Sequence, residues 1–258
     1  MRATVDFSVI VPVFDEVASL LPFWTTLEPV LGALPGETEV VFVDDGSTDG
    51  STEVIRGLVH RDARVRLVRL AANAGLSAAF HAGFAAARGR ILMTLDSDLQ
   101  NDPADLPRLL AHLDRWDAVV GARDARHDPW LKRASSRLAN AVRRRVTGDE
   151  FRDSACSLRI MRRECAAAIP PLDGMHRFLP LLLQLAGYRV VEVPVRHHPR
   201  PFGRSKYGVR NRLARASLDL LAVRWMMGRR FRFEIAEVAE EGERRAPTGA
   251  PPATRPAG

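Results

Sequence analysis

The chain has 258 residues, 46% of them hydrophobic, two cysteines and a net charge of +7. That length and apolar content suffice for a large α/β core without cross-links, and Cys156 and Cys165 exclude both a disulfide framework and a cysteine-based metal site, reading instead as reduced apolar fillers of a cytosolic protein. A sequence pI near 10.5 calls for an anionic partner (nucleic acid, lipid headgroups or a phosphate-bearing substrate) without choosing among them.

Phe7–Phe14 is a nearly continuous apolar, β-branched run, the pattern of a strand buried on both faces. A helix is expected to about Leu31, with apolar Leu20, Leu21, Trp24, Leu27 and Leu31. Glu39–Val43 is a second strand, closed by the turn-rich Asp44-Asp45-Gly46-Ser47-Thr48-Asp49-Gly50, and a helix to about Leu58 starts there. Val65–Leu70 and Arg90–Leu95 read as strands three and four, separated by the loop Asn73–Ser77 and an alanine-rich helix over Ala78–Arg88. A helix at Pro103–Leu113 and a strand at Ala118–Gly121 follow. A basic helix is expected over Trp130–Val146. Ser157–Met161 and Arg189–Val195 read as strands flanking a helix at Arg177–Ala186. Pro199–Gly208 is a basic loop, Val209–Phe231 a helix, and 240–258 a disordered tail rich in Pro, Ala, Gly, Glu and Arg.

Strand–helix alternation with polar residues at each strand's carboxyl end predicts an α/β fold with a mostly parallel central sheet and helices on both faces. Such sheets bind ligands beyond their carboxyl edge. That edge collects Asp15-Glu16, Asp44-Asp45 and Asp96-Ser97-Asp98. The last pair suits a hard cation such as Mg²⁺ or Mn²⁺, with Gln100 as a further oxygen donor, and a divalent ion would offset the charge of a leaving nucleoside diphosphate. An isolated D-x-D more often just caps a helix. Neither a phosphate-binding G-x-x-x-x-G-K-[ST] nor a dinucleotide G-x-G-x-x-G occurs. His81 and the pair His197-His198 lack zinc spacing and read as structural. The basic stretches lack interleaved aromatics, which argues against nucleic acid.

Together the ordered blocks V-I-V-P-V-F-D-E, V-F-V-D-D-G-S-T-D-G-S, N-A-G-L-S-A-A, T-L-D-S-D-L-Q-N-D-P, S-A-C-S-L-R-I-M-R-R and G-R-S-K-Y-G resemble glycosyltransferase family 2, and within it the polyprenyl- and dolichyl-phosphate sugar synthases. The resemblance covers about Phe7 to Gly208. It implies a GT-A-type, Rossmann-like fold and inverting transfer of a hexose from a GDP- or UDP-sugar to a polyprenyl phosphate at the cytoplasmic face of the membrane. It implies donor contacts from Pro12, Phe14, Glu16, Asp44, Asp96 and Arg123, a metal at Asp96, Asp98 and Gln100, and acceptor-phosphate contacts from Arg133, Ser136 and Arg204. Asp98, Asp153, Arg204 and Lys206 are the catalytic candidates it carries over. Asp15 stands where relatives more often have asparagine, and Ser97 where alanine is usual.

An anionic lipid-phosphate acceptor requires no strong base, whereas a glycan hydroxyl acceptor, the alternative, would require one, with Asp153 as candidate. A non-catalytic nucleotide-sugar or lipid-binding module is a third reading, disfavoured by the intact Asp96, Asp98 and Arg204. Residues 1–208 are expected to form the catalytic domain and 209–239 a basic amphipathic region. In that region Val209, Leu213, Ala216, Leu220, Val223, Met227 and Phe231 form one apolar stripe, and Leu218, Leu221 and Trp225 a second. The region is expected to lie in a membrane interface, to pack on the core with its arginines outward, or to do both. Arg143, Arg144 and Arg145 read as a solvated helix face. No signal peptide or spanning helix is expected, because the apolar runs fall short of about 20 residues, so the chain reads as soluble or peripheral, and the resemblance implies a cytoplasmic place, peripheral at the inner face of the membrane.

Overall fold

The structure, a computed structural model, describes residues 5–123, 141–202 and 209–229, with backbone only for 209–216. Seven strands form one sheet: β1 (Phe7–Val13), β2 (Thr38–Asp44), β3 (Val65–Arg69), β4 (Ile91–Thr94), β5 (Ala118–Arg123), β6 (Arg159–Arg162) and β7 (Val190–Val195). Their spatial order is β3-β2-β1-β4-β6-β5-β7. Every pairing is parallel except those of β6, which runs antiparallel to both β4 and β5.

The continuous apolar runs are explained by burial on both faces. Val9, Val11 and Val13 of β1 meet Phe23, Leu27 and Leu31 of α1 (Val17–Ala33), Ile55 and Leu58 of α2 (Ser51–Arg61), and Leu106 and Leu109 of α4 (Leu106–Leu110). Ile10, one residue out of phase, faces the other layer with Phe80 and Phe84 of α3 (Leu76–Ala86) and Leu179 and Leu183 of α7 (Leu179–Leu185). The period-two alternation of the strand sends neighbouring residues into opposite layers. α3 lies so close to β1 that a Cβ on Gly83 would stand 2.3 Å from a methyl of Ile10.

Several expected elements shift. The Pro103–Leu113 helix is broken into a 3₁₀ turn at Pro103–Asp105, α4, and a second 3₁₀ turn at Ala111–Asp114. Pro107 has no N–H to give back to the preceding turn, so a continuous helix is denied its hydrogen bond there. β6 begins at Arg159 rather than Ser157, since the Ser157 carbonyl accepts the Thr94 hydroxyl at 2.5 Å. The helix expected from Arg177 starts at Leu179, after a 3₁₀ turn at Met175–Arg177. Of the basic helix at Trp130–Val146, residues 141–147 (α5) are described and helical. A short α6 (Arg163–Ala166) follows β6. Arg143 is not on a solvated face: it is 7% exposed, pairs with Asp149 and donates to the Phe151 carbonyl. Arg144 and Arg145 are exposed, as expected.

Among the described side chains of the last helix, α8 (Val209–Gly228), the two stripes divide between core and solvent, Val209, Leu213, Ala216 and Phe231 of the first stripe lying outside them. Val223 is fully buried against Met175, Phe178, Leu181 and Leu182, with Leu220 and Met227 partly buried beside it. Leu218, Leu221 and Trp225 stay exposed. Arg177 ties the helix down through Asp219, at 2.6 Å. Both cysteines are free, buried thiols whose pKa burial raises, Cys156 to about 11 and Cys165 to about 12. Such thiols are fillers, as the sequence suggested.

Candidate active site

The carboxyl ends of β1, β2 and β4 converge on one cleft. Its walls are Pro12, Val13, Phe14 and Glu16 after β1, Asp45 after β2, Leu76 and Ala79 on α3, Asp96, Ser97 and Asp98 after β4, and Arg200. Side-chain and backbone bonds lace the loops of β1 and β2 together. Asp15 takes the left-handed region at φ 48°, which asparagine and aspartate tolerate best among non-glycine residues. There its Oδ1 accepts from the Thr48 N–H at 2.8 Å, while its own N–H donates to Ser47 Oγ at 2.9 Å. The Glu16 N–H donates to Ser51 Oγ at 3.0 Å. This bonding gives the Asp15 carboxylate a structural task in joining the two loops.

Of the two aspartates at the end of β2, it is Asp45 rather than Asp44, the expected donor contact, that lines the cleft. Asp44 is fully buried, its oxygens taken by the Ser47 N–H and the Thr52 hydroxyl, with Arg69 Nε at 3.7 Å, and it is absent from the cleft wall. It holds the loop that leads into α2, through Ser47 and Thr52. Asp45 does reach the wall. It also accepts from Asn73 Nδ2 at 2.9 Å and from the Ala74 and Gly75 N–H groups at 2.7 and 2.9 Å, which pins the loop entering α3. Gly46 makes this possible: at φ +75°, a Cβ there would stand 2.7 Å from the backbone of Ala72 and Asn73.

Asp96 and Asp98 share the cleft, and burial raises the pKa of each. Asp98 goes up to about 6, through burial first and the neighbouring Asp96 charge second. Arg159, Arg123 and Arg200 act on Asp96 in the opposite sense. Gln100 stands off the wall: its N–H donates to Asp98 Oδ1 at 3.1 Å and its carbonyl accepts from the His198 N–H at 2.8 Å. As described, it steadies Asp98.

Arg123, at the end of β5, binds both oxygens of Asp153. Burial is the largest influence and pulls its pKa down, but the Asp153 hydrogen bonds together with the charges of Asp153, Cys156 and Asp96 outweigh it and the net shift is upward. The Asp153 N–H itself donates to Glu192 at 2.8 Å. Arg159 is 2% exposed; it lies over the Phe80 ring and donates from Nη2 to the His176 carbonyl at 2.9 Å. His81 Nε2 meets the Pro170 carbonyl at 3.1 Å, a structural contact as expected.

Arg133, Ser136, Arg204 and Lys206 lie outside the described residues. The sequence reading also passed over Arg200, whose Nη2 bonds Glu16 and whose Nη1 lies 3.9 Å from Asp98. Only its place in the basic loop beginning at Pro199 hinted at it.

Comparison with known proteins agrees with this geometry. The chain is 38% identical over 230 residues to the dodecaprenyl-phosphate galacturonate synthase of Rhizobium johnstonii, covering 87% of this chain and 68% of that one. It is 38% identical over 209 residues to the undecaprenyl-phosphate 4-deoxy-4-formamido-L-arabinose transferase of Edwardsiella ictaluri, covering 80% of this chain and spanning 64% of that transferase. The fold matches crystal structures of glucosyl-3-phosphoglycerate synthase from Mycobacterium tuberculosis. The complex with Mn²⁺, UDP-glucose and glycerol 3-phosphate gives a TM-score of 0.61 at 21% identity, over 88% of this chain and 81% of that one. Residues 8–169, well over half the chain, match Glycosyl transferase family 2, and to that family the chain belongs.

Proposed function

We propose that this glycosyltransferase transfers a sugar from a GDP- or UDP-sugar to the phosphate of a polyprenyl phosphate, with Mg²⁺ or Mn²⁺ at Asp96 and Asp98. One observation carries the reading: two partly buried carboxylates, Asp96 and Asp98, their pKa raised by desolvation, share a cleft at the carboxyl edge of the sheet. Burying paired negative charge is costly unless a cation compensates it. Among the described residues no three acidic, histidine or cysteine side chains converge as a self-sufficient metal site. A carboxylate pair of this kind suits Mg²⁺ or Mn²⁺, which complete their shells with phosphate oxygens and water. When bound, such an ion neutralises charge on the departing nucleoside diphosphate.

The names of the relatives support the lipid-phosphate acceptor. A phosphate oxygen is already anionic at neutral pH, so positioning and charge neutralisation suffice. Pro12, Phe14 and Glu16 are proposed to border the donor, Asp44 to support its pocket from beneath, and Arg133, Ser136, Arg204 and Lys206 to hold phosphate. A hydroxyl acceptor fits less well, because Asp153 has both oxygens committed to Arg123 and is poorly placed to take a proton. It acts here as the group that aims Arg123. No described helix is long and apolar enough to cross a membrane. The exposed row Leu218, Leu221 and Trp225 is proposed to rest on the lipid surface where the acceptor resides.

The test is turnover by the purified chain with UDP- and GDP-sugars, Mg²⁺ or Mn²⁺, and a short polyprenyl phosphate. The expected result is a metal-dependent lipid-linked sugar that disappears in Asp98→Ala. Sugar transfer to a hydroxyl acceptor but never to the lipid would overturn the acceptor assignment.

A further inference from the structure

Resting on the proposed metal site, we infer that Arg200 is an exchangeable counter-ion, which guards Asp98 in the ligand-free protein and yields it when a divalent cation arrives with the donor diphosphate. On the cleft wall this one guanidinium faces three carboxylates: Glu16, Asp96 and Asp98. Its two contacts are unequal. Nη2 hydrogen-bonds Glu16, whereas Nη1 stands 3.9 Å from Asp98 Oδ2, near enough for charge attraction but too far for a hydrogen bond. Asp98 therefore surrenders little by changing partners. A divalent ion at bonding distance attracts it far more strongly than a single charge at 3.9 Å.

The backbone before Arg200 is held while its side chain is free to exchange. The His198 N–H donates to the Gln100 carbonyl at 2.8 Å, Asn101 and His197 form a β-bridge, and Arg196 pairs with Asp102 at 2.8 Å and with Asp105 at 3.1 Å. The loop is thus stapled to the segment that follows Asp98. Beyond Glu16, the Arg200 side chain is held by one bond, from Nε to the Phe202 carbonyl at 2.9 Å. Three side chains, each 14–22% exposed, share this corner, so a change at one is felt by the others. The consequence is ordered loading: the metal alone binds weakly, because the Arg200 charge, held beside Asp98 by Glu16, opposes a second cation until the diphosphate arrives to receive the guanidinium.

The experiment titrates Mn²⁺ alone into the full chain, without nucleotide, and follows the free ion by electron paramagnetic resonance. Arg200→Gln is expected to bind Mn²⁺ at least about tenfold more tightly than the natural protein, the equivalent of about 1.4 kcal/mol. Arg200→Lys keeps the charge and is expected to stay close to the natural affinity. If the glutamine variant does not fold, judged by its melting temperature, Arg200→Met replaces it. Unchanged or weaker Mn²⁺ binding in a folded, uncharged variant would overturn the inference. Equal tightening in Arg200→Lys would also overturn it, since space rather than charge would then be the cause. Asp98→Asn separates the two levels of argument. If it abolishes binding while Arg200→Gln changes nothing, only the counter-ion idea fails. If Asp98→Asn binds Mn²⁺ normally, the metal site fails and the inference with it.

Discussion

Arg123 clasps Asp153 with two arms, its Nε 2.5 Å from one carboxylate oxygen and its Nη2 2.7 Å from the other. The pair joins the end of β5 to the segment leading into β6, with side chains 22% and 6% exposed. Removing one partner of a buried ion pair strands the other charge. Asp153→Asn should therefore cost about 3 kcal/mol, seen as a melting temperature lower by about 10 °C. Turnover should fall with the shape of the pH–rate profile retained. Loss of the acidic limb of that profile would make Asp153 a base and restore the hydroxyl acceptor.

The raised pKa of Asp98 has a defined sign. In the folded chain it is about 6, above the unfolded carboxylate value of about 3.9. The folded state therefore holds a proton between those values that the unfolded state has released. This contribution to stability is present at low pH and is lost as pH rises through about 6. A cation needs the ionised form, so its effect runs the other way. Mn²⁺ should raise the melting temperature clearly at pH 7.5 and hardly at all at pH 5. An equal rise at both would place the ion away from Asp98.

Gly46→Ala tests how the cleft wall is held. The added methyl would meet the backbone of Ala72 and Asn73 at 2.7 Å in a conformation that alanine resists. A destabilisation of about 2 kcal/mol is expected in denaturant titration. The donor KM should rise as well, because Asp45 would lose its bonds to residues 73–75. A stability loss with unchanged donor KM would show that Asp45 has no part in holding the donor.

The two faces of α8 should respond differently. Val223→Ala empties part of a closed cluster and should cost about 2 kcal/mol. Leu221→Ser with Trp225→Ser changes side chains that are each 64% exposed and should alter stability by no more than about 0.5 kcal/mol each. The double variant should instead lose co-sedimentation with anionic vesicles. Unchanged vesicle binding would remove this row from the membrane contact.

Much of this was legible in the chain. β1, β2 and β4 were readable because strands buried on both faces give nearly unbroken apolar runs, and their acidic ends could be placed on one edge. Asp44 and Asp45 were harder. Adjacent strand residues face opposite ways, and which of them meets the cleft depends on the strand's phase in the sheet. The direction of β6 left no mark, since an apolar run reads the same either way. Arg143 misled because its partner Asp149 lies in the loop after the helix, outside any i,i+4 pattern. Arg200 stayed hidden because its partners Glu16 and Asp98 are far away in sequence.

The reversal of β6 changes which side chains can reach the carboxyl edge of the sheet. A purely parallel sheet supplies its carboxyl edge only with residues that follow a strand. β6 points the other way, so residues that precede it reach this edge: Asp153 beside Arg123, which ends β5, and Ser157 beside Asn101. The stretch between α5 and β6 can therefore lengthen around Asp149 and Asp153, whose ion pairs hold it, without changing the register of any parallel pair. The scaffold has there a point of variation that the interlaced loops of β1 and β2 do not share.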